Sequence, residues 1–308
     1  MVAARRAEIV AALLVVYVVW GSTYLAILLA IRTIPVFLMA GVRFLVAGAL
    51  LYAWSIRRGD RTGDRPGPRQ WLAAGVVGAL LFLVGNAGVA WAEQRVASGT
   101  ASLVIATIPL WMALFDRVGY GQRLSRNSVV GLVLGFAGAA LLAGPGADRI
   151  DLAGFAVLLV AAAGWAIGSL YSRRASLPRR PLVSASMQML VGGALLAVVA
   201  AASGELGEVG RPSAESTLAV AYLVGFGSIL AFSAYAWLLR VARTSLVSTY
   251  AYVNPLVAVF LGWAVENEGV GLRTLGAGAL ILVAVALIVS PKTGLRRDAP
   301  AVLPARGK

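Results

Sequence analysis

Ten long apolar runs dominate the chain, and no other feature restricts its fold as tightly. They cover roughly residues 9–29, 36–56, 71–92, 98–118, 128–144, 152–172, 182–203, 216–240, 245–265 and 272–290. Each is about 17–25 residues long, the length that crosses about 30 Å of hydrocarbon at 1.5 Å per residue. The runs are continuous and do not alternate with period two, so they predict helices and not the strands of a barrel. Composition agrees: 60% of the 308 residues are hydrophobic and 13% are charged, against about 45–50% and about 25% in soluble domains. A soluble core of this size cannot bury so much apolar surface. The expected class is an all-α integral membrane protein with ten transmembrane helices.

The chain has no histidine and no cysteine. Zinc sites, cysteine nucleophiles, Ser-His relays and disulfides are thereby excluded. Neither paired acids nor a serine with a base falls deep within a span, so the chain reads as a non-enzyme, with no metal and no cofactor expected. A net charge of +14 would suggest nucleic acid in a soluble protein, but its distribution argues otherwise. With the N-terminus placed in the cytoplasm, 21 of the 27 basic residues fall on inner loops and termini, whereas Arg32, Arg95, Arg149, Arg211 and Arg273 fall outside. That bias across short loops is the positive-inside pattern. It puts both termini in the cytoplasm, expects no nucleic-acid partner, and leaves the lipid bilayer and a small-molecule substrate as partners. The first run follows Arg5 and Arg6 but is too long for a signal-peptide core and lacks a small-x-small cleavage site, so it reads as a retained helix.

An internal repeat with an offset near 146 residues organises the ten runs. Trp20-Gly21-Ser22-Thr23-Tyr24 is echoed by Trp165, Gly168, Ser169, Leu170 and Tyr171. Ala90-Trp91 matches Ala236-Trp237, Pro109-Leu110 matches Pro255-Leu256, and Gly131 pairs with Gly276. Four matches in order divide the chain into five-helix units at 9–144 and 152–290, with a basic cytoplasmic tail at 291–308. Five is odd, so the second unit enters the membrane from the opposite side. Two inverted five-helix repeats related by an axis in the membrane plane are a recurring plan of secondary transporters. A receptor has no need of it.

The stretches WGSTYLAI from Trp20, AGVRFLVAGALL from Ala40, SGTASLVIATIPL from Ser98 and YVNPL from Tyr252 resemble those of EamA-type exporters of the drug/metabolite transporter superfamily. The resemblance spans about residues 9–290. It implies a multi-pass protein of the bacterial inner membrane that exports metabolites, amino acids among them, by alternating access. Members often carry Lys or Arg shortly after the WGS motif, where this chain has Leu28. An acid common after the fourth helix is replaced by Gln122, while its repeat mate Glu268 is retained.

A transport site belongs near the midplane, between the repeats, where polar and aromatic groups interrupt apolar helices. Tyr17, Trp20 and Tyr24 share one helical face by their spacing of 3 and 4. Phe82 and Asn86, Trp165 and Ser169, Phe232 and Tyr235, and Ser248, Tyr252 and Asn254 complete the expected substrate-binding set. Pro109 and Pro255 lie at matching points of the fourth and ninth helices and are candidates for a hinge or gate. Arg43 is the single base within a span; it either pairs structurally, with Glu93 as one partner, or receives a substrate carboxylate.

No carboxylate or histidine lies in mid-span, so facilitated or weakly coupled transport is expected. One arginine is too few for phosphorylated sugars or nucleotides. The cargo reads as small neutral or zwitterionic molecules, amino acids foremost; a multidrug exporter of hydrophobic cations is the alternative. The glycine-rich Gly131-x-x-x-Gly135 stretch reads as packing within a monomer, with a dimer seam as the other reading.

Overall fold

The computed structural model describes residues 6–57, 66–121, 126–143, 151–242, 244–247 and 249–289. Among them there is no strand, and ten apolar helical spans account for the bundle. The first unit holds α1 (Arg6–Ala30), α2 (Val36–Arg57), α3 (Pro68–Ala92), α4 (Ser98–Ile105 with Ile108–Tyr120) and α5 (Arg126–Ala143). The second holds α6 (Leu152–Ser172), α7 (Pro181–Ala202), α8 (Ala214–Tyr222, Leu223–Leu230 and Ala231–Val241), α9 (Thr244–Val247 with Tyr250–Glu266) and α10 (Leu272–Val289). Seven spans are long and apolar enough to cross a membrane; α5, α9 and α10 are shorter apolar helices. The basic tail proposed at 291–308 lies outside the described residues.

The bundle wears its hydrophobicity outward. Val10, Leu14 and Val18 form an exposed stripe on α1, as do Val42, Val46 and Leu50 on α2, and Leu256, Phe260 and Trp263 on α9. Such bare apolar stripes are unstable in water and natural in hydrocarbon.

Helix contacts reproduce the repeat. α2 lies along α7 and α5 along α10, each against its own counterpart. α1 packs on α8 and α9, just as α6 packs on α3 and α4. This is the pattern that a two-fold relation between inverted five-helix units demands. Small residues make it sterically feasible: a Cβ on Gly193 of α7 would stand 2.8 Å from the Leu45 backbone nitrogen of α2.

One local feature is invisible to the apolar pattern. α3 and α8 each contain an eight-residue π-helical segment, Ala79–Asn86 and Leu223–Leu230, at matching places in the two units. Ala87 N–H reaches back five residues to the Phe82 carbonyl, and Ala231 N–H likewise to Phe226. Each segment turns the following helix relative to the preceding one and passes over a backbone carbonyl.

Candidate functional site

Two cavities lie in line between the units. The inner one, of about 90 Å3, is lined by Trp20, Tyr24, Arg43, Phe82, Asn86, Trp165, Ser228, Phe232, Tyr250 and Asn254 among others. The wider one, of about 460 Å3, includes Trp165, Ser169, Arg173, Gln188, Phe232, Tyr235 and Tyr250 in its wall. Trp165, Phe232 and Tyr250 are common to both walls. The wider cavity reaches the end of the bundle that carries Arg173 and Pro178, between α6 and α7.

Trp20 is the centre of the aromatic wall. Its ring stands 4.9 Å from Tyr235, 5.4 Å from Tyr250, 6.2 Å edge-on from Trp165 and 6.3 Å from Phe232. Its indole N–H donates to the Gly227 carbonyl at 3.2 Å. That carbonyl is the one passed over when Ala231 N–H turns to Phe226, so the π segment of α8 supplies the acceptor a mid-membrane tryptophan needs. Trp165 differs: its Nε1 is buried and interacts with Tyr250 short of good hydrogen-bond geometry. Trp111, unpartnered, packs on Phe115 and Phe136 and lines neither cavity.

The polar groups sit at the other side of this wall. Arg43 is buried, donates from Nε to Ser228 Oγ at 2.9 Å, and holds its guanidinium 4.7 Å from the centre of the Phe44 ring. Asn86 donates to the Leu81 carbonyl at 3.1 Å within the π segment of α3. Asn254, with its amide NH2 turned inward, reaches the Tyr250 and Tyr17 carbonyls at 3.2 Å each.

The fold thus brings Trp20, Tyr24, Phe82, Asn86, Trp165, Ser169, Phe232, Tyr235 and Asn254 to the two cavities. Tyr17 lines neither; its hydroxyl bonds to Thr249 and its ring packs with Leu13, Val16 and Leu238. Ser248 lies outside the described residues. Tyr252 is within α9, and its side chain lies outside what the structure describes. Tyr250 and Asn254 of α9 line the inner cavity.

The two prolines act differently. Pro109 stands in the first turn of the second half of α4, after a break at Ala106–Thr107, where its missing N–H costs little. Pro255 lies inside a continuous stretch of α9. Arg43, Tyr250 and Ser228 belong to the lining beyond the expected set. Tyr250 was legible as the residue one turn before Asn254.

The end opposite Arg173 is cross-linked between the two units by polar contacts. Arg32, between α1 and α2, pairs with Glu215 at the start of α8 at 3.3 Å and with Glu266 at the end of α9. Glu205 accepts from Phe37 N–H at 3.2 Å and Leu38 N–H at 2.8 Å, and Glu268 from Ser98 N–H at 2.8 Å and Gly99 N–H at 3.0 Å. In both cases a carboxylate from one unit sits on the N-terminus of a helix of the other, where the helix dipole favours it. Partly exposed ion pairs are worth only about 0–1 kcal/mol, so Arg32→Gln is expected to open this end up to about five-fold more often. The chain contains no cysteine, which makes the check direct. A cysteine at Ile27, on the inner cavity wall, should be labelled faster by an impermeant thiol reagent from that end in the Arg32→Gln background.

Inverted five-helix units around a central aromatic cavity define a membrane transporter. Residues 7–144 and again 152–290 match the EamA-like transporter family, and the chain belongs to it. It is 38% identical over 282 residues to the uncharacterized inner membrane transporter YedA of Escherichia coli strain K12, covering 91% of this chain and 90% of that one. The uncharacterized transporter YoaV of Bacillus subtilis is 24% identical over 275 residues, covering 87% and 91%. A solved crystal structure with 24% identity shares the fold with a TM-score of 0.65, over 92% of this chain and 96% of the other.

Proposed function

We propose that this transporter moves small zwitterionic metabolites, amino acids foremost, out of the cytoplasm across a bacterial inner membrane. The observation that carries the reading is the lining of the inner cavity: one guanidinium, Arg43, at the edge of a wall of Trp20, Tyr24, Phe82, Trp165, Phe232 and Tyr250. A single buried cation suits one carboxylate. The aromatic faces suit an apolar side chain and, through cation–π contact, an ammonium group. A hydrophobic cationic drug would meet Arg43 as a like charge, which argues against the multidrug alternative. The positive-inside distribution of basic loops supports a cytoplasmic position for both termini and for the mouth beside Arg173.

The test is transport by purified protein in liposomes, using radiolabelled amino acids and a cationic dye such as ethidium. Saturable transport of amino acids with apolar side chains, competed by one another and not by the dye, is the expected result. Saturable dye transport without amino-acid transport would replace this reading with the multidrug one. Transport of neither would overturn it.

A further inference from the structure

Arg173 follows the last residue of α6 and is exposed, and among the described residues it has no ion pair. A base at a helix C-terminus complements the helix dipole, but the neighbouring Arg174, also exposed, offers the same charge there. Arg173 lines the wider cavity, whereas Arg174 lines neither.

From Arg173 the α6 wall runs inward through Ser169 to Trp165, in steps of four residues that keep one helical face. Eight residues at 1.5 Å each put Trp165 about 12 Å from Arg173 along the helix. α7 contributes Ser184 and Gln188, also one turn apart. Both are buried, and Gln188 Nε2 donates to Ser184 Oγ at 2.9 Å. That bond takes one amide proton and one hydroxyl lone pair; the hydroxyl proton and the amide oxygen remain for a ligand. Trp165, Phe232 and Tyr250 form the inner end, where the wall is shared with the smaller cavity. The wider cavity thus runs from a guanidinium, past a hydroxyl and an amide, to an aromatic neck.

Size separates the two cavities further. Small-molecule sites enclose about 300–1,000 Å3. The wider cavity, at about 460 Å3, falls within that range, and the inner one, at about 90 Å3, falls well below it. In this conformation a whole amino acid has room in the wider cavity, and the inner cavity must widen before Arg43 receives one.

We propose that the wider cavity is a loading site for the cargo, separate from the site at Arg43, in which Arg173 takes the carboxylate and the aromatic neck takes the side chain. This rests on the reading of the cargo as a carboxylate-bearing zwitterion. Ser184 and Gln188 supply polar partners for the head group. The cargo is held at the mouth beside Arg173 until Trp165, Phe232 and Tyr250 part and admit it to Arg43. Two guanidiniums then act in series on one path, and no covalent bond is made or broken.

The chain has no cysteine, so a single one at Ala175, on the wider cavity wall, reports occupancy. Labelling of detergent-purified, full-length Ala175→Cys by a maleimide is followed as L-phenylalanine or L-phenylalaninamide is added. L-phenylalanine should slow labelling at concentrations where the amide, which lacks the carboxylate, does not. Arg173→Gln should raise the half-protecting concentration about three- to ten-fold, between the effects of an exposed ion pair and of a buried charged hydrogen bond. Arg173→Lys should fall between it and wild type. Arg174→Gln should leave that concentration unmoved, and so should Arg43→Gln, although the latter transports poorly.

Equal protection by the amide, or wild-type protection in Arg173→Gln, would overturn the loading site. An equal shift in Arg174→Gln would do the same, by showing only the general charge of the loop. A matching shift in Arg43→Gln would tie protection to the inner cavity and overturn it as well. Should Arg173→Gln not fold, Arg173→Lys decides: a raised half-protecting concentration supports the site and an unmoved one removes it. Saturable phenylalanine transport without protection in wild type would sink the loading site and leave the cargo reading standing. Neither transport of any amino acid nor protection by one would remove both.

Discussion

Arg43→Gln is expected to cut amino-acid transport by about 10- to 100-fold, mainly through a higher KM, because a hydrogen bond to a charged group is worth about 1.5–3 kcal/mol. The guanidinium lines the inner cavity and, among the described residues, is anchored by hydrogen bonding at Nε alone, to Ser228. Its fork remains available for a carboxylate, which a glutamine offers as a single neutral donor. Amino-acid amides and amino alcohols, which lack the carboxylate, should lose far less. Arg43→Lys, which keeps the charge and loses the fork, should fall between the two. Transport of acids and amides measured side by side, with thermal stability of each variant, decides between the two roles left open by the sequence. Equal losses for both cargo types together with a lowered Tm would make Arg43 a structural residue.

The second large effect concerns the packing that shapes the site. Gly78→Ala is expected to lower Tm by several degrees, whereas Gly225→Ala should be neutral or slightly stabilising. A Cβ on Gly78 would stand 2.5 Å from the Gln188 carbonyl and 3.1 Å from Gly192 N, both backbone atoms of α7 that cannot rotate away. Gly225, within the π segment of α8, has nothing within 4 Å of the same atom. Overpacking of this kind costs about 1–3 kcal/mol, while alanine otherwise gains up to about 1 kcal/mol over glycine in a helix. Gly78→Ala should also weaken transport, since Gly192 opposite it packs against Phe82 of the inner cavity. Thermal unfolding of the two detergent-purified variants beside wild type is the check; equal Tm values would show that α3 and α7 can part without cost.

How much of the site could be read in advance depended on how far helical period held. Along α1 it held for Trp20 and Tyr24, which line the cavity. It failed one turn earlier, because Tyr17 faces Leu238 and Thr249 at the narrowing between α1, α8 and α9. In α9 the expected Asn254 lines the wall together with Tyr250, which the expected set did not include. Phe82 and Asn86 lie within a π segment, where a residue inserted into the turn moves every later side chain to a new face. No apolar count detects that insertion. Glu93 shows the converse: distance along the helix put it at a water-facing rim, and the chains crossing that rim buried it.

The sequence by itself determined the hydrocarbon-spanning helices, their number and the two-unit repeat, because these rest on local quantities: run length, hydropathy and the parity of crossings. It also excluded chemistry that needs histidine or cysteine. Only the tertiary structure decided which end of the bundle carries the Arg32 ion pairs, that Trp20 donates to Gly227, and that Glu93 is buried. Those outcomes depend on helix rotation and on the approach of residues far apart in the chain. Lipid-facing and core-facing positions in this protein are nearly equally apolar, so hydropathy carries little record of rotation. The path for cargo is written in how the two units meet.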